Sequence, residues 1–310
     1  MNIRECVEFV AQQFDVAQLY YGHGTDNPWD EAVYLVFTVA GVPFEGEADG
    51  AYSLDESLDE DTYARIETLM QRRISERRPM AYLLQEAWFA GLPFDVDERV
   101  LIPRSPIAEL IHNQFEPLLP FPPNRILDLC TGSGCIGIAA AVAFPEAYVE
   151  LSDISADALE LAHRNIRRHQ LESRVTALQS DLFAQLQGAY DLIIANPPYV
   201  GAQEVAELPP EYRHEPVAAL LSEDEGLALP LAILRQAADF LNEHGVLVME
   251  VGYSWSLLAD RHPEWPVTWL EFEHGGEGVL AIARSDLVKV AGNVHGAVAS
   301  ADEYASKVAR

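Results

Sequence analysis

Asn196-Pro197-Pro198-Tyr199 ends the apolar run Leu192-Ile-Ile-Ala195, and its residue types could do chemistry. A buried strand that meets two prolines cannot keep pairing, because neither ring nitrogen has a hydrogen to donate. Pro198 also holds Pro197 in an extended conformation. The groups left free at the strand end are the Asn196 amide and the Pro197 carbonyl. Their oxygens can accept from an NH2 group, and Tyr199 adds a flat face beside them. Such a corner would hold a planar amide or an amino group. Asn-Pro also begins ordinary turns, so the motif alone fits a plain strand end equally well.

A second motif lies upstream. In Asp128-Leu-Cys-Thr-Gly-Ser-Gly-Cys-Ile-Gly137, the glycines at 132, 134 and 137 satisfy the dinucleotide fingerprint G-x-G-x-x-G. Asp153 ends the next expected strand, where an acid takes a pair of ribose hydroxyls. Hydride transfer with a nicotinamide cofactor is therefore one reading. Charge favours another. A dinucleotide sets its pyrophosphate at the glycine turn, and Asp128 just before that turn would repel it. The same carboxylate would attract S-adenosylmethionine, which has no phosphate and carries a sulfonium and an ammonium group. Asp181 follows the strand Val175–Gln179 and could accept from the adenine amino group, with Leu182 and Phe183 against the ring. The donor site expected from the sequence comprises Asp128, Thr131, Gly132, Gly134, Asp153, Asp181, Leu182 and Asn196. No His/Cys cluster has metal-site spacing, so no metal is expected.

These residues need a scaffold that brings strand ends together. From Arg125 the chain alternates strands (125–129, 148–152, 175–179, 190–195, 245–251, 267–272, 278–283) with helices (135–144, from Ser155 to about 169, 229–241). Alternation of this kind predicts an α/β fold with a largely parallel sheet covered on both faces. Ligands of such sheets bind at the carboxyl edge of the strands.

The N-terminal part reads differently. Helical spacing covers Ile3–Phe14 and Trp29–Val39, separated by a polar, Gly-rich loop that runs from Tyr20 to Glu31. Gly41–Gly50 is a linker. Ser53-Leu-Asp-Glu56 and Ser57-Leu-Asp-Glu60 both spell a capping box, so a helix is expected to start at one of them. Arg72, Arg73, Arg77 and Arg78 crowd its end, either as cations on the negative helix terminus or as a contact for RNA or an acidic partner. A hairpin then joins the two parts, with Gly91-Leu-Pro93 between its strands, and Ser105–Glu109 opens a helix. The predicted organisation is a helical domain over 1–84, a hairpin linker over 85–104, an α/β domain over 105–284 and a tail over 285–310 with no assigned role.

The chain has 310 residues, 49% of them hydrophobic, with 49 acids against 20 bases and a formal charge of −29. Nonspecific nucleic-acid binding rests on cationic contacts to phosphate, so no extended nucleic-acid surface is expected. A basic protein partner suits this charge, as does simple solubility. No apolar run reaches the ~20 residues of a membrane span, and no signal pattern opens the chain. The three cysteines, 6, 130 and 135, form no C-x-x-C pair. A cytoplasmic location with reduced thiols is expected.

Taken together, Asp128–Gly137 and Asn196–Tyr199 resemble the Rossmann-like methyltransferases that modify glutamine side-chain amides in translation proteins. That resemblance implies a seven-stranded sheet, a helical N-terminal domain and a hairpin linker. One branch acts on peptide release factors and the other on large-subunit ribosomal protein three. Tyr21–Ala32, Glu86–Phe89, Val96–Val100, Ile102–Ile107 and Glu211–Pro216 are similar to the ribosomal-protein branch. At position 182 the release-factor branch tends to carry tryptophan, where this chain has leucine. The resemblance spans about residues 20–284. It assigns Asn196 and Pro197 to the substrate glutamine as the catalytic pair, with Pro198 and Tyr199 completing its pocket. It also implies S-adenosylmethionine as methyl donor. Enzymes that methylate adenine amino groups in DNA use a similar corner, but need a basic groove this chain lacks. A non-catalytic assembly factor is a third reading.

Overall fold

The structure, a computed structural model, describes residues 1–44 and 53–294. Helix α1 (Ile3–Val16) buries Ile3, Cys6, Val7, Val10 and Phe14 on one face, and Asn2 and Glu5 close a capping box at its start. Helix α2 (Pro28–Ala40) is capped by Asn27, has proline in its first turn and stops at Gly41 in the left-handed conformation. Helix α3 (Glu60–Glu76) starts at neither expected capping box. Asp59 caps it, accepting from the Thr62 N–H and the Thr62 hydroxyl, both at 2.8 Å. A carboxylate that takes two donors and faces the positive helix end outcompetes a serine hydroxyl. Ser53 instead accepts from the Asp55 N–H in a preceding turn. The short α4 (Met80–Leu84) was not expected. These four helices enclose one apolar cluster around Phe14, Leu35, Val36, Ile66 and Met70. The expected linker 41–50 lies largely outside the described residues.

Strands β1 (Glu86–Phe89) and β2 (Leu92–Asp95) form the hairpin. The turn between them is Ala90-Gly91, with φ of 49° and 76°, so Leu92 and Pro93 belong to the second strand and not to the turn. Two consecutive positive φ values match the right-handed twist of a tight hairpin.

Beyond the hairpin come α5 (Ile107–His112), β3 (Arg125–Leu129), α6 (Cys135–Ala143), β4 (Tyr148–Asp153), α7 (Ala156–Arg168), β5 (Val175–Gln179) and β6 (Tyr190–Ala195). They are followed by α8 (Ala202–Glu207), α9 (Ala228–Gln236), β7 (Leu241–Glu250), α10 (Trp255–Arg261), β8 (Thr268–Trp269), β9 (Val279–Ala283) and α11 (Arg284–Val294). The sheet has seven strands in the order β5-β4-β3-β6-β7-β9-β8. Strands β3 to β7 are parallel, while β9 is antiparallel to both neighbours. The period of two along each strand sorts the core into two layers. Ile126, Leu192, Ile194, Val246 and Val248 face one. Leu127, Leu129, Ile193, Ala195, Leu247 and Met249 face the other.

One expectation at the end of the sheet fails. The strand expected at 267–272 shrinks to Thr268–Trp269, because it sits at the sheet edge and pairs only with β9. Residues 284–294 form α11, whose Leu287 and Val290 are buried in the second layer. The remainder of the expected tail, from 295 on, lies outside the described residues. Helices α8 and α10 went unread in the sequence, being six and seven residues long with no side-chain cap. Among the described residues no helix is long and apolar enough to cross a membrane.

Candidate active site

The strand register sets the geometry of the site. Leu129, the last residue of β3, pairs with Ser152 of β4 on one side and with Ala195 of β6 on the other. The next residues are therefore level with each other: Cys130 and the glycine turn in the middle, Asp153 and Asn196 on its two flanks. Adjacent strands lie about 4.8 Å apart, so the three loops share one narrow strip at the carboxyl edge. Asp153 in turn pairs with Gln179, which brings Ser180 and Asp181 to the same edge. Chain order reverses between β3 and β6, the switch point where ligands of open sheets bind.

The glycine turn is held from below. Gly132 and Gly134 take φ of +54° and +83°, conformations that L side chains rarely adopt. Gly137 admits close packing of α6 on the sheet, since a Cβ there would fall 2.2 Å from Leu151. Asp128 differs from expectation. It is fully buried, and its Oδ2 accepts from the Thr131 hydroxyl and from the Gly137 N–H at 2.8 Å. Burial pushes its carboxyl up to about 7, against the pull of those two donors. Asp128 and Thr131 thus brace the turn, and the carboxylate does not lie open to an incoming cation. Its Oδ1 has no partner among the described residues.

Asp153 accepts from the Gly132 N–H through Oδ2 and from the Ser155 N–H through Oδ1, both at 2.9 Å. A carboxylate offers about four acceptor positions, so two remain for hydroxyl donors. Burial raises its pKa despite those bonds. Asp181 is exposed, and Leu182 beside it adopts φ of +45°. Phe183 departs from expectation: it is buried and stacks on Phe240 at 4.7 Å, so it belongs to the core and not to an adenine pocket.

Asn196 is half-buried, Pro197 is buried, and among the described residues no protein group hydrogen-bonds the Asn196 amide or the Pro197 carbonyl. Tyr199 is held on several sides. Its hydroxyl donates to Glu250 Oε1 at 2.6 Å, and its carbonyl accepts from Ser254 Oγ at 2.9 Å. Its ring lies so close to Gly252 that a Cβ there would sit 2.4 Å from the ring. Glu250 also accepts from the Ser105 hydroxyl at 2.5 Å. Burial raises Glu250, and burial beside Glu250 raises Tyr199 well above its ordinary value. Tyr199 therefore stays a hydrogen-bond donor.

After Tyr199 the chain turns toward the N-terminal helices. Glu215 accepts from Arg104 Nη1 and Nη2 at 2.6 and 2.8 Å and from the Ile102 N–H at 3.0 Å. Glu211 accepts from the Tyr20 N–H at 3.0 Å and faces Arg73 and Arg77. The basic end of α3 is consequently spoken for. Arg73 is buried against Glu31, while Arg72 pairs with Glu76, Arg77 with Glu211 and Arg78 with Glu98.

Residues 109–208 match the family described as Methyltransferase small domain. A ribosomal protein uL3 glutamine methyltransferase of Francisella tularensis is 45% identical over 291 residues, covering 93% of this chain and 92% of its own length. Its namesake from Neisseria gonorrhoeae is 43% identical over 289 residues, covering 93% of this chain and 96% of its own. The chain belongs to the uL3 glutamine methyltransferases. Likeness to the catalytic domain of hMettl16, solved with an RNA hairpin, is one of fold: TM-score 0.50 at 17% identity, over 80% of this chain and 90% of that one. Both named relatives carry the ribosomal-protein activity, and the release-factor branch is not favoured.

Sequence reasoning gave no role to Ser105, Glu250 and Gly252, which fix Tyr199 in this methyltransferase, or to Arg104 and Glu215, which tie the hairpin to the segment after it. A signal existed for Glu250, an acid closing the apolar run Val246–Met249 just before Val251-Gly252. Arg104 and Glu215 lie in two motifs read only as marks of resemblance.

Proposed function

We propose that this enzyme transfers a methyl group from S-adenosylmethionine to the side-chain amide nitrogen of a glutamine in ribosomal protein uL3. The observation that carries this reading is the pair of unpartnered acceptors, Asn196 and Pro197, level with the glycine turn and with Asp153. The residues present fit the donor. Gly132 and Gly134 open the turn to close approach, Asp153 keeps acceptor positions free for the ribose hydroxyls, and Asp181 and Leu182 flank the adenine position. When bound, S-adenosylmethionine supplies a methyl group on a positively charged sulfur.

The chain's own residues supply position and charge. A carboxamide nitrogen is a poor nucleophile, because its lone pair is delocalised into the carbonyl. Asn196 Oδ1 and the Pro197 carbonyl each accept one of its N–H bonds, which fixes the nitrogen and its plane. Positive charge that grows on the nitrogen during attack is stabilised by the same two oxygens. Tyr199, locked as a donor to Glu250, cannot take the proton. Once alkylated the nitrogen is acidic, and its proton leaves along the acceptors to water. Glutamate would turn carboxylate oxygens toward two acceptors, a mismatch able to discriminate by ~10^4-fold.

The substrate meets the enzyme in the cytoplasm, free or within an assembling large subunit. The pairing of Arg72, Arg73, Arg77 and Arg78, at and just past the end of α3, with acids of this chain supports a protein substrate over an RNA surface. Incubation with labelled methyl donor and unmethylated uL3, followed by mass spectrometry, should find one methyl on a glutamine. Label on RNA instead, or none on uL3, would overturn the proposal.

A further inference from the structure

A cavity of about 360 Å³ opens where the loop after α1, helix α2 and the hairpin meet, away from the donor turn. Its wall is aromatic. Phe44 packs against Trp88 at 5.4 Å and Tyr34 at 5.9 Å between ring centroids, and the Tyr34 hydroxyl donates to the Glu86 carbonyl. Trp88 and Phe44 remain 41% and 39% exposed, too much for core residues. Asp30 stands at the cavity in an exposed position, bonded to Asn27, with no cation within ion-pair distance among the described residues.

His23 also lines the cavity. It is 6% exposed, yet among the described residues neither ring nitrogen has a hydrogen-bond partner. Glu215 Oε2 lies 3.6 Å from Nε2, within ion-pair distance, so Nε2 faces a carboxylate and Nδ1 is the ring nitrogen left without a partner. A buried ring nitrogen without a partner costs free energy unless something arrives to use it. The ring also ties the cavity to the segment that follows Tyr199. It sits 4.5 Å from Tyr212, whose ring lies under Arg104, the partner of Glu215.

Aromatic faces, one carboxylate without a cation among the described residues and an imidazole with an unpartnered Nδ1 together describe a receptor for a cation on a long stem. Ring faces attract ammonium and guanidinium groups, and Asp30 neutralises them. The overall charge of −29 favours the same partner. A ribosomal protein bound to RNA carries lysine and arginine for the phosphates. We propose that this cavity receives a lysine or arginine side chain of the protein substrate, anchoring the segment that presents the glutamine. The inference rests on the uL3 reading above.

Steady-state kinetics with unmethylated uL3 tests it, using Asp30→Asn, Trp88→Ala and the conservative partners Asp30→Glu and Trp88→Phe. All four lie at exposed positions. The first two should raise KM for uL3 roughly five- to tenfold, leave kcat at saturation and donor affinity unchanged, and be rescued to within about twofold by the conservative variants. Replacing lysines and arginines of uL3 one at a time by glutamine should reveal one whose loss raises KM for the wild-type enzyme but adds nothing to Trp88→Ala. If wild-type enzyme methylates uL3 but Asp30→Asn and Trp88→Ala leave KM unmoved, the cavity is not an anchor. If both raise KM but no basic residue of uL3 couples to Trp88, the assigned occupant is wrong. Failure of wild-type enzyme to methylate uL3 strikes the function itself.

Discussion

Glu215→Gln removes one charge from the junction between the hairpin and the segment that follows Tyr199 while keeping the side chain's shape. In the native structure that carboxylate is 3% exposed, holds both terminal nitrogens of Arg104 and accepts from the Ile102 N–H. Burial alone would raise its pKa, but Arg104 and the nearby His23 override it and hold the group at about 2, against an ordinary 4.5. At about 1.4 kcal/mol for each factor of ten in proton affinity, that difference is worth about 3 kcal/mol of folding stability at neutral pH. Breaking a buried ion pair on one side typically costs about 3–5 kcal/mol, so two independent routes agree. The sign follows from the direction. A carboxylate held below its unfolded pKa stabilises fully above about pH 4.5, and that stabilisation is lost as pH falls through about 2. Urea unfolding of wild type and variant from pH 7 to pH 2.5 should show a gap of about 3 kcal/mol at pH 7 that closes steadily below pH 4.5. A gap under about 1 kcal/mol at pH 7, or one constant down to pH 3, would refute the reasoning.

Asn196→Ala should lower turnover on uL3 by at least ~10^2-fold, as expected for loss of a preorganised polar group, while calorimetry finds donor affinity retained; near-normal turnover would remove Asn196 from the chemistry. Asp153→Ala should weaken donor binding at least ~10-fold and leave residual turnover at saturating donor, and unchanged affinity in the same titration contradicts its ribose role. Asp128→Asn tests the brace of the turn. Because the native carboxyl is held up to about 7, the folded state binds the extra proton, and wild type loses stability relative to the variant as pH rises from about 4 to 7. Unfolding midpoints that run parallel across that window would show that Asp128 does not titrate in this way.

The local chemistry of this protein was written in the chain. Proline cannot donate a hydrogen bond and glycine alone sits easily at positive φ, so the Asn196–Tyr199 corner and the Gly132–Gly134 turn follow from residue type wherever they fall. The alternation of strands and helices from Arg125 on likewise reports a parallel sheet, because period and burial are local signals. What residue order could not fix is register and neighbourhood. Only the pairing of Leu129 with both Ser152 and Ala195 puts Asp153 and Asn196 level across one turn. Only packing buries Asp128 beneath that turn, sends Phe183 into the core, and sets Arg73 on Glu31 and Arg77 on Glu211. Charge in a sequence carries a sign but no address: the buried pair Arg73–Glu31 joins groups that the chain separates by 42 residues, and the half-buried pair Arg77–Glu211 joins groups 134 apart.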